Sequence, residues 1–196
     1  MSKPNKPKLC FIDVETTGLN ANRNGIWQVA AIITSPDGHT VLDTLKLEFN
    51  PGKTIEITEE ALGVIGKSRE ALRALPMSSE EAYKLFVEFL CKHVNKYDKM
   101  DKLQFIAYNA PFDDKFVRSW ASRNGEKYFG SYFWYPSICV MQMVAAFVMP
   151  IRPVVQSFKL ETICAMAEIE WNDDEAHDAL YDIQKTRELF LKIAKM

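Results

Sequence analysis

Hydrophobic and polar positions along the chain alternate between two periods. Leu9 to Val14 is a short apolar run of strand length, and Ile26 to Thr34 (IWQVAAIIT) is a second. Pro36-Asp37-Gly38 marks a turn, and Val41 to Phe49 (VLDTLKLEF) then alternates like a strand half exposed to water. The first fifty residues therefore predict an antiparallel three-strand meander. A helical period follows. Thr58 to Leu62 is a short candidate, and Ser78-Ser79-Glu80-Glu81 opens a longer helix to about Val94, with Tyr83, Phe86, Val87 and Leu90 on one face. Leu103 to Tyr108 is a buried strand. Asn109 is placed to cap the next helix, Pro111 suits its first turn, and Phe112, Phe116, Val117 and Trp120 form its inner face up to Asn124-Gly125. Ser137 to Met149, Phe158 to Ile169 and about His177 to Lys195 read as three further helices. The fold class is α/β: a mixed sheet, three antiparallel strands plus parallel ones, flanked by helices.

The first strand is followed by the polar loop TTGLNANRNG rather than by a glycine-rich turn and a helix, which excludes a doubly wound dinucleotide fold. Residues 1–8, basic and Pro-containing, are expected to be flexible, and residues 9–196 to form a single domain. Among 196 residues, 47% are hydrophobic and 26% charged, with a formal net charge of -2. This balance supplies no overall basic field, so a polyanionic partner has to be argued from a site. Cys10, Cys91, Cys139 and Cys164 are far apart and sit in apolar runs, as expected of buried reduced thiols in the cytoplasm. No segment is long and apolar enough to span a bilayer or serve as a signal peptide.

Chemistry enters where carboxylates interrupt apolar runs. Side chains of a strand alternate faces, so Asp13 and Glu15 share a face about 7 Å apart. Two such acids repel each other and resist desolvation, a conflict that a divalent cation resolves; oxygen donors without a Cys or His cluster select Mg²⁺ or Mn²⁺ over Zn²⁺. A frayed strand end with exposed acids is the bland alternative. Asn109-Ala110-Pro111-Phe112-Asp113-Asp114 again follows a buried strand and opens a helix, where the helix dipole alone favours an acid. In Ala176-His177-Asp178-Ala179-Leu180-Tyr181-Asp182, a continuous helix would put Asp178 and Asp182 on one face, with His177 at its start; a polar loop histidine is the alternative. Spacing alone does not choose between Asp113 and Asp114, or between Asp178 and Asp182.

Taken in order, the three segments resemble the motifs of the DEDD exonuclease superfamily, in the branch with a catalytic histidine: D-x-E-T-T-G at Asp13 to Gly18, N-x-x-F-D at Asn109 to Asp113, and H-x-A-x-x-D at His177, Ala179 and Asp182. The likeness spans Leu9 to Leu191 and is greatest to the epsilon-type proofreading exonucleases of bacterial DNA polymerase III and their free-standing relatives. It implies a ribonuclease H-like fold in which Asp13, Glu15, Asp113 and Asp182 hold two Mg²⁺ or Mn²⁺ ions. Asp13 would bridge them, Glu15 and Asp182 would complete the ion that carries the attacking water, and Asp113 would support the second. His177 would be the general base, since an imidazole titrates near neutrality.

The implied reaction is 3′→5′ exonucleolytic hydrolysis of single-stranded DNA, releasing nucleoside 5′-monophosphates. By the same resemblance Thr16, Gly18, Leu19, Asn109 and Phe112 would bind the terminal nucleotide, with Leu19 wedged against the last base. Tyr108 stands where many proofreading relatives have a histidine, and Val64-Ile65-Gly66-Lys67 lacks the histidine of their His-Gly-Ile element. The chain stops soon after its last helix, so a free-standing enzyme, a possible homodimer, is expected rather than a stable polymerase subunit. Two alternatives stand: a ribonuclease T-like or oligoribonuclease-like exoribonuclease, and an idle nucleic-acid-binding module, against which the complete acid set argues. The aromatic run Tyr128 to Tyr135 offers stacking surfaces or core, and Arg118, Arg123, Lys127, Arg152 and Lys159 are candidate phosphate contacts.

Overall fold

A computed structural model of the chain describes residues 6–194. Residues 1–5 of the expected flexible segment, and Lys195 at the expected end of the last helix, lie outside the described residues.

The apolar runs become a five-stranded sheet: β1 (Leu9–Thr16), β2 (Ile26–Thr34), β3 (Val41–Glu48), β4 (Leu103–Ala107) and β5 (Phe133–Cys139), in the order β3-β2-β1-β4-β5. The meander is as expected, with β1, β2 and β3 pairing antiparallel, while β4 runs parallel to both β1 and β5. Every residue of β2 is buried, which its near-continuous apolar sequence anticipates for a central strand covered on both faces.

Seven helices accompany the sheet among the described residues: α1 (Glu59–Ile65), α2 (Arg69–Arg73), α3 (Ser79–Cys91), α4 (Ala110–Arg123), α5 (Val140–Phe147), α6 (Leu160–Met166) and α7 (Ala179–Ile193). Strand alternation sorts the core into two layers. Cys10, Ile12 and Val14 pack with α3 and α4 on one face. Leu9 and Phe11 pack with α5, α6 and α7 on the other. Each large side chain so buried contributes roughly 1.5–3 kcal/mol. Trp120 of α4 stacks on Phe49 with ring centroids 5.0 Å apart, tying the end of β3 to the helix layer.

Several local expectations are corrected. The capping box at Ser78 and Glu81 starts α3 as the sequence implies, but the helix stops at Cys91, short of Val94. Ser137 to Cys139 are strand, not helix: the aromatic run from Phe133 leads into β5, and an edge position tolerates Pro136. The helix that follows is correspondingly short. So is α6, which stops before Ile169, and α2 had no counterpart in the periodic pattern. Asn109 occupies the cap position of α4 but makes no side-chain capping bond. Cys91 is exposed, whereas the other three cysteines are buried.

Candidate active site

The site forms where β1 ends. Asp13 and Glu15 follow Phe11 on the α7 side of the sheet, and both are half-buried. The pairing of β1 with β2 shifts between Glu15 and Thr16, where Trp27 of β2 is the extra, unpaired residue, an irregularity of the kind that re-aims side chains. Asp113, 4% exposed in the first turn of α4, accepts a hydrogen bond from the Val14 backbone N–H at 3.3 Å. The start of α4 is thereby docked onto the last turn of the strand that carries both acids.

The third segment differs from its expected form. The helix α7 begins at Ala179, not His177, and Asp178 caps it by accepting from the N–H groups of Leu180 and Tyr181 at 3.0 and 3.3 Å. Asp178 also forms an ion pair with Lys46 of β3. Asp178 therefore lies just outside the helix and is committed to the cap, while its carbonyl accepts from the Asp182 N–H at 2.9 Å. His177 is exposed and has φ 64°, in the left-handed region that side-chain-bearing residues adopt at a cost of order 1 kcal/mol. One ligand atom from each of Glu15, His177 and Asp182 lies within 4.8 Å of the others.

Four carboxyls crowded in this way hold their protons well above the usual range. Burial raises Asp13, and Asp113, Glu15, Asp182 and Asp178 raise it further. Burial, then the charges of Asp182, Asp113 and Asp178, pushes Glu15 up to about 8. Burial takes Asp113 to about 7 despite the opposing Val14 hydrogen bond, and takes Asp182 to about 7 despite the backbone N–H of His177. Asp178 behaves oppositely: burial would raise it, but Lys46 and the capped N–H groups outweigh burial and hold it down.

The residues fit a hard divalent ion: the donors are carboxylate oxygens with one imidazole beside them, and Asp182 Oδ1 is buried without a hydrogen-bond partner among the described residues. Asp13 lies close enough to Asp113, Glu15, Asp182 and Asp178 that the charge of each raises its pKa.

Around this centre, the Thr16–Gly18 loop is held firmly. Thr17 donates its N–H to Gly25 and accepts at its own carbonyl from Thr58, both at 2.9 Å, while its hydroxyl donates to the Glu56 carbonyl at 2.7 Å. A Cβ on Gly18 would lie 2.5 Å from the Asn24 side chain, so the close approach that needs this glycine is to Asn24. Leu19 projects into solvent at 85% exposure. Phe112 is half-buried against Phe116, with ring centroids 4.8 Å apart. A groove of about 510 Å³ adjoins His177, bordered by Trp27, Lys46, Lys67 and Tyr181. In the aromatic run, Phe129, Tyr132 and Phe133 are core, whereas Tyr128 and Tyr135 are exposed.

Four of the candidate phosphate contacts have structural partners. Arg118 pairs with Asp114, and Lys159 with Glu161. Arg123 donates to the carbonyls of Asn24 and Ala21, and Arg152 to that of Val155. Sequence reasoning missed Asn24, Gln28 and Lys46. The only signal was polarity inside or beside an apolar strand, as for Gln28, which is 2% exposed within β2.

Comparison with known proteins agrees with this geometry. A family model described as "Exonuclease" matches residues 10–190. Ribonuclease T of Baumannia cicadellinicola subsp. Homalodisca coagulata is 32% identical over 190 residues, covering 93% of this chain and 81% of the relative. Ribonuclease T of Shewanella denitrificans is 31% identical over 185 residues, covering 93% and 78%. Among solved structures, the zinc-bound complex of E. coli exonuclease I with single-stranded DNA superposes with a TM-score of 0.78 at 20% identity. It covers 97% of this chain but only 41% of the exonuclease I chain, so the likeness is one of fold. With the ribonuclease H-like sheet, the ordered acids and a family model spanning nearly all of its length, the chain belongs to the exonuclease family of the DEDD superfamily.

Proposed function

We propose that the protein is a metal-dependent 3′→5′ exonuclease that removes nucleoside 5′-monophosphates from single-stranded 3′ ends, with RNA as its first substrate class. The observation that carries the activity is the convergence of Glu15, Asp182 and His177, from opposite ends of the chain, beside Asp13 and Asp113. RNA is favoured by the ribonuclease T relatives, which align over most of both chains. Single-stranded DNA is the second reading, supported by fold neighbours that hold it.

Asp13, Glu15, Asp113 and Asp182 would hold two Mg²⁺ or Mn²⁺ ions, which would neutralise charge at the phosphate and lower the pKa of water. The rest of the chemistry belongs to the chain. A ring nitrogen of His177 takes the proton of the attacking water as oxygen bonds to phosphorus and the bond to the 3′ oxygen of the preceding nucleotide breaks. The exposed position of His177 lets it return that proton to solvent. The Thr16 backbone N–H would bind the terminal 3′ hydroxyl, Leu19 would offer an apolar edge to the last base, and Phe112 and Asn109 would border the entry from α4.

The test is degradation of 5′-labelled single-stranded RNA and DNA of one sequence in Mg²⁺, Mn²⁺ or EDTA. Laddering from the 3′ end, abolished by EDTA and by Asp13→Ala, is expected. Laddering on DNA alone would reject the RNA preference, and none on either would support a binding module. Recognition of the 2′ hydroxyl would be the physical basis of any preference.

A further inference from the structure

We infer that Gln28 is a positioning residue that sets the His177 turn, an inference that rests on the exonuclease reading for its catalytic consequence. Gln28 lies directly across from Glu15 in the β1–β2 pairing, and opposite residues of an antiparallel pair share a face, so it points to the α7 side. It is 2% exposed and both ends of its amide are used. Its Oε1 accepts from the Ala179 backbone N–H at 2.7 Å, and its Nε2 donates to Glu48 Oε1 at 2.9 Å.

The Ala179 bond matters because of where Ala179 sits. It is the first residue of α7, two positions after His177 and three before Asp182. The first N–H groups of a helix have no partner within it. Here Asp178 satisfies those of Leu180 and Tyr181, and Gln28 satisfies that of Ala179. Lys46 of β3 grips Asp178 from the solvent side. The meander thus holds the start of α7 at two adjacent residues, one by a buried amide and one by a surface ion pair. Between this clamp and the loop before it, His177 keeps a left-handed backbone that only surrounding structure can maintain. Glu48 in turn fixes the amide so that its oxygen, not its nitrogen, faces the helix. The strand that pairs with β1 at Glu15 therefore also holds the start of the helix that follows His177, whose imidazole lies beside the Glu15 carboxylate.

The experiment compares the full chain with Gln28→Met, which matches volume and lacks the acceptor, and with the double variant Gln28→Glu, Glu48→Gln, which keeps an acceptor oxygen for Ala179 and reverses the bond between residues 28 and 48. Amide hydrogen exchange over residues 176–182 reads the clamp without reference to activity, and kcat and KM on a labelled single strand read its consequence. Gln28→Met is expected to speed exchange in that segment and lower kcat on the order of 10- to 100-fold with KM little changed, the usual scale for a residue that orients a ligand from behind. The double variant Gln28→Glu, Glu48→Gln is expected to restore slow exchange and most of kcat. Unchanged exchange in Gln28→Met, or equal losses in both variants, would overturn the inference. If Gln28→Met does not fold, Lys46→Met carries the test: exchange should quicken and kcat fall, and no change in either would overturn it. A wild-type chain that degrades nothing would reject the exonuclease reading while the exchange result still decides the clamp.

Discussion

Asp113 accepts a hydrogen bond from the backbone N–H of Val14 at 3.3 Å, joining α4 to β1 across 99 residues of chain. Val14 sits between Asp13 and Glu15, so this bond brings the third acid to the first two. Its geometry does not need a charge on Asp113, but burial, and then the charge of Asp114, resists one. Asp113→Asn keeps an acceptor for Val14 and removes a repelling carboxylate. It is expected to stabilise the metal-free protein at pH 8 by about 1–2 kcal/mol while reducing nuclease activity at least about 100-fold. Chemical denaturation in EDTA and the laddering assay check the two halves.

The raised carboxyls also set the pH dependence of stability without metal. In the folded protein Glu15 titrates near 8 and Asp182 near 7, above the range they have when unfolded. The folded state therefore holds protons that the unfolded chain has released. Their contribution is present at pH 4 and is lost as pH rises toward 8. Thermal midpoints in EDTA are expected to fall across that window. Adding Mn²⁺ should raise the midpoint more at pH 8 than at pH 6, because cations and protons compete for the same oxygens.

His177 combines backbone strain with its proposed chemical role. Glycine adopts φ near 64° without penalty, so His177→Gly is expected to leave stability unchanged or to raise it by up to about 1 kcal/mol. Loss of the imidazole should cost roughly 10²- to 10⁴-fold in kcat. His177→Ala shares the second effect without the first, and comparing the melting curves of the two variants isolates the backbone contribution.

At Gly18 the expectation is structural. A methyl group would meet the Asn24 side chain at 2.5 Å, and Asn24 is itself buried and bonded to the Thr17 and Glu56 carbonyls. Gly18→Ala is expected to destabilise by about 1–3 kcal/mol, read by denaturation, and to raise KM by displacing the Thr16–Leu19 loop.

The exposed aromatics separate core from binding surface. Tyr135, at 93% exposure, should be replaceable by alanine without a change in melting temperature, whereas Phe133→Ala should cost about 3–5 kcal/mol. If Tyr135 stacks on bases upstream of the cleavage point, Tyr135→Ala will raise KM for long strands and leave dinucleotides unaffected.

Local sequence determined whatever depends on near neighbours: the period of β1, β2 and β3, the capping box of α3, the proline-led start of α4, and the presence of acids at the ends of apolar runs. It also carried the ordered motif, and with it Asp13, Glu15, Asp113, Asp182 and His177 as a set. Only tertiary structure decided which strand would claim Phe133 to Cys139, because that required β4 as a parallel partner. The motif had already selected Asp182 over Asp178; only tertiary structure gave the physical difference, by starting α7 at Ala179 and giving Asp178 to the cap and to Lys46. The same holds for Gln28 and Asn24, whose partners lie 151 and 32 residues away. A periodic pattern reports which side of an element is buried. It does not report which distant N–H, carbonyl or carboxylate will meet a polar side chain there, and that meeting shapes this site.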